Sequence, residues 1–296
     1  MRIPPFEFKA PEHLNQALAL LGRAGQGATL LAGGTDLVLG LKKKTLAPDL
    51  IISLQNLKGL DDVREENGMI CIGAMATHET LAKHPLLRER ADILCQAVGL
   101  IGSWQIRNAG TIGGNICNAS PAGDALPPLL ALDARFVVAG PDGEATLPAT
   151  SFFKGPGETC LGRGRILTQV QIPLPPEHSA GCYMKMRRRK AVDISIAGVA
   201  FQAAVDETGQ KIACAGIALG GVAPTPVRVG DAEDLVRGCT IDQALGRLGD
   251  IAQCCADAAR PIDDIRASAH YKRTIVNVFA QRCARHVLTR LKSKRG

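Results

Sequence analysis

Two glycine-rich stretches decide the fold of this chain: Leu30-Leu31-Ala32-Gly33-Gly34-Thr35-Asp36-Leu37 and Asn108-Ala109-Gly110-Thr111-Ile112-Gly113-Gly114-Asn115. Each follows an apolar run and places paired glycines beside a threonine. Bare backbone N–H groups can therefore approach an anion closely, while Thr35 or Thr111 adds a donor. We interpret the two stretches as halves of one cradle for the pyrophosphate of a dinucleotide. An ordinary tight turn is the alternative for either stretch taken alone.

The best-known nucleotide motifs are absent from both stretches. Neither contains G-x-G-x-x-G between a strand and a helix, and G-x-x-x-x-G-K-S/T occurs nowhere in the chain. The usual nicotinamide-binding and ATP-binding interpretations therefore lose their main support.

The first stretch leaves a predicted strand and enters a predicted helix. Residues 28–32 have the pattern of a buried strand, residues 35–41 that of a short helix, and residues 50–53 that of a second strand. This arrangement is a compact β-α-β unit. It places Gly33 and Gly34 at a helix N-terminus, where the helix dipole and the free N–H groups favour an anion.

A longer block of strands and helices follows the first unit. It is predicted to contain a strand at residues 69–73, a helix capped near Thr77, a helix at 86–98, the second glycine stretch as a loop, and strands at 136–138, 145–147 and 166–172. The best boundary in the chain is at residues 173–181, where three prolines in four residues cannot continue a central strand.

Beyond this boundary the pattern changes to strands followed by long helices. Strands are predicted at residues 183–187, 194–205 and 211–219, and helical stripes at 241–252 and 271–288. The chain is therefore predicted to have a mixed α+β fold with domains at residues 1–58, 59–177 and 178–296.

Composition limits the partners that this chain can have. The net charge of +7 would suit a nucleic-acid binder, but two Tyr and one Trp offer few stacking platforms, so we expect no nucleic-acid partner. Residues 187–190, Arg-Arg-Arg-Lys, are interpreted as a solvated face, with an anionic ligand as the alternative. Residues 1–8 lack a signal-peptide pattern and no run of about 18 apolar residues occurs, so we expect a cytoplasmic protein without membrane contact.

The residues point away from metal or nucleophilic catalysis in this chain. Its ten cysteines form no C-x-x-C pair, its six histidines have no metal-ligand spacing, and no G-x-S-x-G elbow occurs. No catalytic or metal-binding residue is predicted. A flavin enzyme suits such a chain, because the isoalloxazine ring accepts the electrons and the protein need only hold and orient it.

Several motifs in order along the chain resemble those of a known family. Besides the two glycine stretches, they are Gln105-Ile106-Arg107-Asn108, Ser120-Pro121-Ala122-Gly123-Asp124, Asp193-Ile194-Ser195 and Ala223-Pro224-Thr225-Pro226-Val227-Arg228. The chain resembles the FAD-binding medium subunit of molybdenum hydroxylases, the group that contains xanthine, nicotinate and aerobic carbon monoxide dehydrogenases. The resemblance covers nearly the whole chain and is strongest to the xanthine or nicotinate dehydrogenase branch.

The resemblance implies a fold and a set of cofactor contacts. The fold is a two-subdomain FAD-binding fold of the PCMH/vanillyl-alcohol-oxidase-like type, at residues 1–58 and 59–177, plus a C-terminal α+β domain at 178–296. Residues 30–37 and 110–115 would cradle the pyrophosphate and ribityl regions, with Asn108 beside them, and Asp124 would bind on the adenosine side. Ile101, Leu167 and Lys185 match positions that line or approach the cofactor, and a surface lysine is the alternative for Lys185.

The resemblance also implies partners. The [2Fe–2S] clusters and the molybdenum cofactor would lie on a small iron–sulfur subunit and a large molybdenum subunit, in a dimer of heterotrimers. FAD would take electrons from those clusters and pass them to NAD⁺ or another acceptor. A stand-alone flavoprotein oxidase or dehydrogenase of the same fold and a non-catalytic nucleotide-binding module are the alternatives.

Overall fold

The computed structural model describes residues 3–293, so Met1 and Arg2 and residues 294–296 lie outside the described part of the chain. The strands are β1 (Glu7–Lys9), β2 (Ala28–Leu31), β3 (Leu50–Ser53), β4 (Val63–Glu66), β5 (Met69–Gly73), β6 (Arg135–Gly140), β7 (Gly143–Pro148), β8 (Phe153–Gly155), β9 (Glu158–Thr159), β10 (Ile166–Pro173), β11 (Ser179–Met186), β12 (Ala197–Val205), β13 (Ile212–Gly220) and β14 (Val227–Arg228). The α-helices are α1 (Leu14–Ala24), α2 (Leu37–Lys43), α3 (His78–Lys83), α4 (Pro85–Arg90), α5 (Asp92–Val98), α6 (Trp104–Ala109), α7 (Ile112–Asn118), α8 (Leu126–Ala131), α9 (Ala149–Phe152), α10 (Gly230–Asp234), α11 (Ile241–Gly246), α12 (Leu248–Ala258) and α13 (Ala269–Ser293). The predicted mixture of helices and strands is confirmed.

The first sheet has three parallel strands in the order β1-β3-β2. Helix α1 packs on it with Ala17 and Leu21 buried, next to the central strand β3, which is buried throughout. Parallel strands have their carboxyl ends at the same edge of a sheet. The segments that follow β2 and β3 therefore leave the sheet side by side, and the amide of Leu54 donates to the carbonyl of Leu31 at 2.9 Å.

The second sheet has five antiparallel strands in the order β4-β5-β10-β6-β7. One of its faces packs against the helices of residues 78–131 and forms the largest apolar core of the described chain. Three of the seven phenylalanines, Phe136, Phe152 and Phe153, meet edge to face in this core. The centroids of Phe136 and Phe152 are 4.8 Å apart, a favourable spacing for an aromatic pair.

The third sheet has four antiparallel strands in the order β11-β12-β13-β14. Helices α12 and α13 cover one face, and α5 and α8 from the preceding part contact the sheet from the other side. Strand β12 is buried at eight of its nine residues because both faces are covered. Such a strand has no apolar/polar alternation, which explains its continuous apolar sequence.

An ion-pair cluster joins the third sheet to helix α8. Arg228 on β14 donates to the carboxylate of Glu233 at 2.8 Å, to the carboxylate of Asp133 and to the carbonyl of Leu130 at 3.1 Å. Glu233 is buried and also accepts the amide of Ile217 at 2.9 Å. The cluster thus ties the two largest cores together.

Several element boundaries differ from the sequence prediction. The helix predicted at residues 86–98 is two helices, α4 and α5, because the backbone of Ala91 leaves the helical region. The predicted stripe at 241–252 is likewise two helices, α11 and α12. The strand predicted to start at residue 194 starts at Ala197, because the carboxylate of Asp193 accepts the amides of Arg188 and Arg189 and folds this segment into a loop. None of the described helices has the length and apolar character needed to cross a membrane.

Candidate functional site

The two glycine-rich stretches touch each other in the folded chain. A Cβ atom added at Gly33 would overlap the backbone carbonyl of Ala109 and lie 2.9 Å from the Cα atom of Gly110. A Cβ at Gly114 would lie 3.8 Å from the Cβ of Ala32. Contact this close requires glycine at position 33, because any side chain would separate the two backbones.

The first stretch is a turn between β2 and α2. Residues 30–35 are half-buried, and Gly34 has a φ of +72°, which favours glycine. Helix α2 begins at Leu37, two residues later than predicted, and the Asp36 side chain makes no capping bond. Gly33, Gly34 and Thr35 thus precede the helix rather than forming its first turn.

The second stretch is mostly helical, so the loop predicted for it is wrong. Helix α6 ends at Ala109, Gly110 and Thr111 form a turn, and α7 begins at Ile112. The Thr111 hydroxyl accepts the amide of Gly114 at 3.1 Å and caps α7. A threonine followed by Ile-Gly-Gly-Asn is an N-cap signal, which the turn interpretation of the paired glycines had overlooked.

The turn between α6 and α7 is bonded to the segment that follows β5. The amide of Gly113 donates to the carbonyl of Ala74 at 2.8 Å, and the amide of His78 donates to the carbonyl of Gly110 at 3.0 Å. A Cβ at Gly113 would lie 2.7 Å from Ala74, so this glycine lets α7 pack directly on the backbone. The second stretch is therefore a rigid element of the five-stranded sheet's core.

A cleft of about 640 Å³ opens where the two stretches meet. It is lined by Ala32, Gly33, Gln55, Asn56, Leu57, Lys58, Gly59, Asp61, Met75, Thr77, Asn108, Ala109 and Thr111. The segment at residues 55–61 was not predicted as part of the site. The parallel pairing of β2 and β3 was the available signal, because ligands bind at the carboxyl ends of parallel strands.

The other predicted contacts lie in or near the core and do not line this cleft. Leu167 is buried on β10, and Ile101 is half-buried with its carbonyl accepting Arg107 at 3.2 Å. Arg107 also donates to the carboxylate of Glu79 at 2.9 Å and so fixes the segment between α5 and α6. Asn108 donates from its side-chain amide to the carbonyl of Trp104 at 2.8 Å.

Asp124 and Lys185 form a buried ion pair. Lys185 Nζ lies 2.6 Å from Asp124 Oδ2, and the two side chains are 1% and 7% exposed. Burial raises the pKa of Asp124, and the charge of Lys185 opposes that rise. The alternative of a surface lysine at position 185 is therefore wrong.

His78 is a buried histidine beside the second stretch that sequence reasoning passed over. Its imidazole lies against Gly110, and its Nδ1 atom has no hydrogen-bond partner within residues 3–293. Burial, reinforced by the charge of Arg107, lowers the pKa of His78 to about 4. The ring is therefore neutral at pH 7.

We expect this histidine to make the chain sensitive to mild acid. Because its pKa is lowered from 6.5 to about 4 in the folded state, the unfolded chain binds the proton first. The free energy of unfolding should fall by about 3 kcal/mol as the pH drops from 6.5 to 4. His78→Leu should lose this part of the pH dependence in urea titrations, whereas the exposed control His13→Leu should keep it. Equal profiles for the two variants would contradict the assignment.

The residues at the cleft fit the phosphate and sugar parts of FAD. The glycine turns present backbone without side chains, as an anion requires. Asn115 on α7 has a buried side-chain oxygen with no hydrogen-bond partner in the described chain. A buried polar atom without a partner costs free energy, so such an atom suits a ligand with donor hydroxyls, which a ribityl or ribose chain supplies.

Comparison with known proteins assigns the family. Residues 4–175 match the family described as the FAD binding domain in molybdopterin dehydrogenase, and residues 181–287 match the CO dehydrogenase flavoprotein C-terminal domain. The chain therefore belongs to the FAD-binding subunits of the molybdenum hydroxylases. The predicted family, its oxidoreductase class and its FAD cofactor are confirmed.

Individual relatives agree with this assignment. The chain is 33% identical to the carbon monoxide dehydrogenase medium chain of Hydrogenophaga pseudoflava, over 95% of this chain and 96% of that one. It is 38% identical to the nicotinate dehydrogenase FAD-subunit of Eubacterium barkeri, over 69% of this chain and 70% of that one. The solved carbon monoxide dehydrogenase of Hydrogenophaga pseudoflava that lacks the Mo-pyranopterin moiety has a chain that matches with a TM-score of 0.91 and 32% identity, covering 98% of this chain and 99% of that one.

Proposed function

We propose that this chain holds FAD as the electron relay of a molybdenum-containing hydroxylase, between partner [2Fe–2S] clusters and NAD⁺ or another acceptor. The observation that carries the proposal is the contact of Gly33 with Ala109, which joins two side-chain-free turns at one cleft. FAD supplies the redox chemistry, since its isoalloxazine ring can take up electrons one or two at a time. The chain's own residues bind and orient it.

We assign the residues to parts of the cofactor by their chemistry. Residues 30–37 and 110–115 would hold the pyrophosphate and ribityl groups through backbone N–H groups and the Asn115 amide. Ile101, Leu167, Asp124 and Lys185 would act on the remainder of the cofactor from the core between the second and third sheets. We also propose domain limits of 1–58, 59–177 and 178–296, which enclose one of the three larger sheets each.

We propose that the chain works in a dimer of heterotrimers with a small iron–sulfur subunit and a large molybdenum subunit. The names "medium chain" and "FAD-subunit" of its relatives support a multi-subunit complex. A cytoplasmic location agrees with ten cysteines that are all free, because disulfides are rare in reducing compartments.

The cofactor and the partners are tested together by native purification. The chain is isolated with its partners, the cofactor is released by denaturation, and flavin, iron and molybdenum are quantified. We expect FAD bound to this chain, with iron and molybdenum on co-purifying chains. A colourless complex would overturn FAD binding, and a flavin-loaded chain without iron or molybdenum partners would favour a stand-alone flavoprotein.

Asn115 should separate cofactor binding from stability. We expect Asn115→Ala to weaken FAD binding by about tenfold, as for loss of one hydrogen bond, while the FAD-free chain keeps or gains stability because a buried unpaired oxygen is removed. Asn118→Ala, on the exposed face of the same helix, is the control and should change neither quantity. Titration of the FAD-free variants with FAD measures the effect, and unchanged affinity in Asn115→Ala would remove this residue from the site.

A further inference from the structure

Two side chains of strand β11 clamp the carboxylate of Asp124. The Tyr183 hydroxyl donates to Oδ1 at 2.8 Å, and Lys185 Nζ donates to Oδ2 at 2.6 Å. Tyr183 and Lys185 are two residues apart on a strand, so they project from the same face. Asp124 lies just before α8, so the clamp crosses from the third sheet to the core of the second.

Tyr183 is itself held in place on two sides. Its backbone amide donates to the side-chain oxygen of Gln96 at 2.9 Å. Its hydroxyl lies 2.6 Å from the position that a Cβ atom on Gly198 would occupy, so the ring fits only because position 198 is glycine. With the backbone bonded and the ring enclosed, the hydroxyl points at Asp124 without freedom to turn away.

Lys185 links this clamp to the segment predicted to line the cofactor. Its Nζ atom also donates to the carbonyl of Leu100 at 3.4 Å, one residue before Ile101. An ammonium group has three donor hydrogens, and the hydrogen bonds to Asp124 and Leu100 account for two. One donor is left for a bound molecule.

We propose that Tyr183 is a positioning residue of the flavin site, which orients Asp124 and keeps it ionised as the counter-ion of Lys185. The inference rests on the proposed function and adds a residue that neither glycine stretch contains. Tyr183 does not touch the cofactor in this proposal. It acts through Asp124, whose charge sets how much of the Lys185 charge reaches the flavin.

The charges around the clamp explain why one hydroxyl matters. Lys185 and Arg187 lower the pKa of Asp124 while burial raises it. Burial, together with the nearby Asp124 and Cys283, holds the pKa of Tyr183 well above 10, so its hydroxyl remains a donor. Removing that donor takes away a hydrogen bond that favours the charged carboxylate, and Asp124 then takes up a proton at higher pH.

The test compares the two tyrosines of the chain in the flavin-loaded protein. Tyr183→Phe removes only the hydroxyl, and Tyr271→Phe on α13 is the matched control, because that side chain is exposed. We expect Tyr183→Phe to weaken FAD binding by about tenfold. It should also change the pH profile of the flavin midpoint potential between pH 5 and 9, whereas wild type and Tyr271→Phe share one profile. Adding Asp124→Asn to Tyr183→Phe should abolish the new pH dependence, because the titrating group is gone.

The outcomes separate this inference from the function on which it rests. A wild-type protein without FAD would refute the proposed function. A Tyr183→Phe protein that loses only thermal stability, with wild-type affinity and potential profile, would refute the positioning role. Should Tyr183→Phe fail to fold, Gly198→Ala displaces the same hydroxyl by crowding it and is expected to give the same altered profile.

Discussion

Replacing Gly33 by alanine is expected to abolish FAD binding at micromolar concentrations, with a loss of affinity of at least about 100-fold, or roughly 2.8 kcal/mol. The added Cβ would overlap the carbonyl of Ala109, so the two backbones must move apart. Hydrogen bonds from backbone N–H groups to a phosphate weaken steeply once the donor–acceptor distance exceeds about 3.2 Å. Titration of the FAD-free chain, followed by flavin fluorescence, measures the loss.

Two variants keep this first prediction decisive. Gly22→Ala adds the same methyl group to the exposed face of α1, where no atom lies within 4 Å, and should bind FAD as wild type does. Gly114→Val should fill the space between Gly114 and Ala32 from the opposite side and also reduce affinity. Wild-type affinity in both Gly33→Ala and Gly114→Val would place the cradle elsewhere.

Removing the ammonium group of Lys185 is expected to destabilise the folded chain by about 3–5 kcal/mol at pH 7, because a buried carboxylate is left without its counter-ion. Lys185→Met retains most of the apolar length of the side chain. Without the lysine, the folded-state pKa of Asp124 rises further above its unfolded value. The loss should therefore shrink as the pH falls and Asp124 becomes protonated.

A second ion pair in the chain provides the control for Lys185→Met. Lys292 lies 2.6 Å from Asp242, the same separation as in the buried pair, but those side chains are 55% and 73% exposed. Lys292→Met should cost less than about 1 kcal/mol. The double variant Lys185→Met/Asp124→Leu should recover part of the lost stability, because an apolar pair replaces an unpaired charge. Urea unfolding at pH 7 and pH 5 measures these differences, and equal effects of the two lysine variants would contradict the buried-pair assignment.

The sequence predicted best what short-range pattern specifies. Strands at residues 50–53 and 69–73 were placed to the residue, and Thr77 was correctly identified as a helix cap. Turn glycines, alternation and capping residues act within a few positions, so their signal survives in the sequence alone. The break at Ala91 was missed because neither glycine nor proline occupies that position.

The candidate site was predictable only in part, for the same reason. Both glycine stretches were found, because their composition is unusual. The segment at residues 55–61 was missed, because it joins the cleft only through the parallel pairing of β2 and β3. His78 was not singled out, because burial, which lowers its pKa, is a property of the packed core.

By itself, the sequence determined the mixed fold, the family and the two glycine stretches, since these depend on local pattern and on motifs in order. Only the tertiary structure decided that Gly33 meets Ala109, that α7 replaces the expected loop, and that Asp124 is clamped by Tyr183 and Lys185. The physical reason is distance along the chain. Asp124 and Lys185 are 61 residues apart, and their attraction becomes strong only when β11 packs against α5 and α8 and excludes water from both charges.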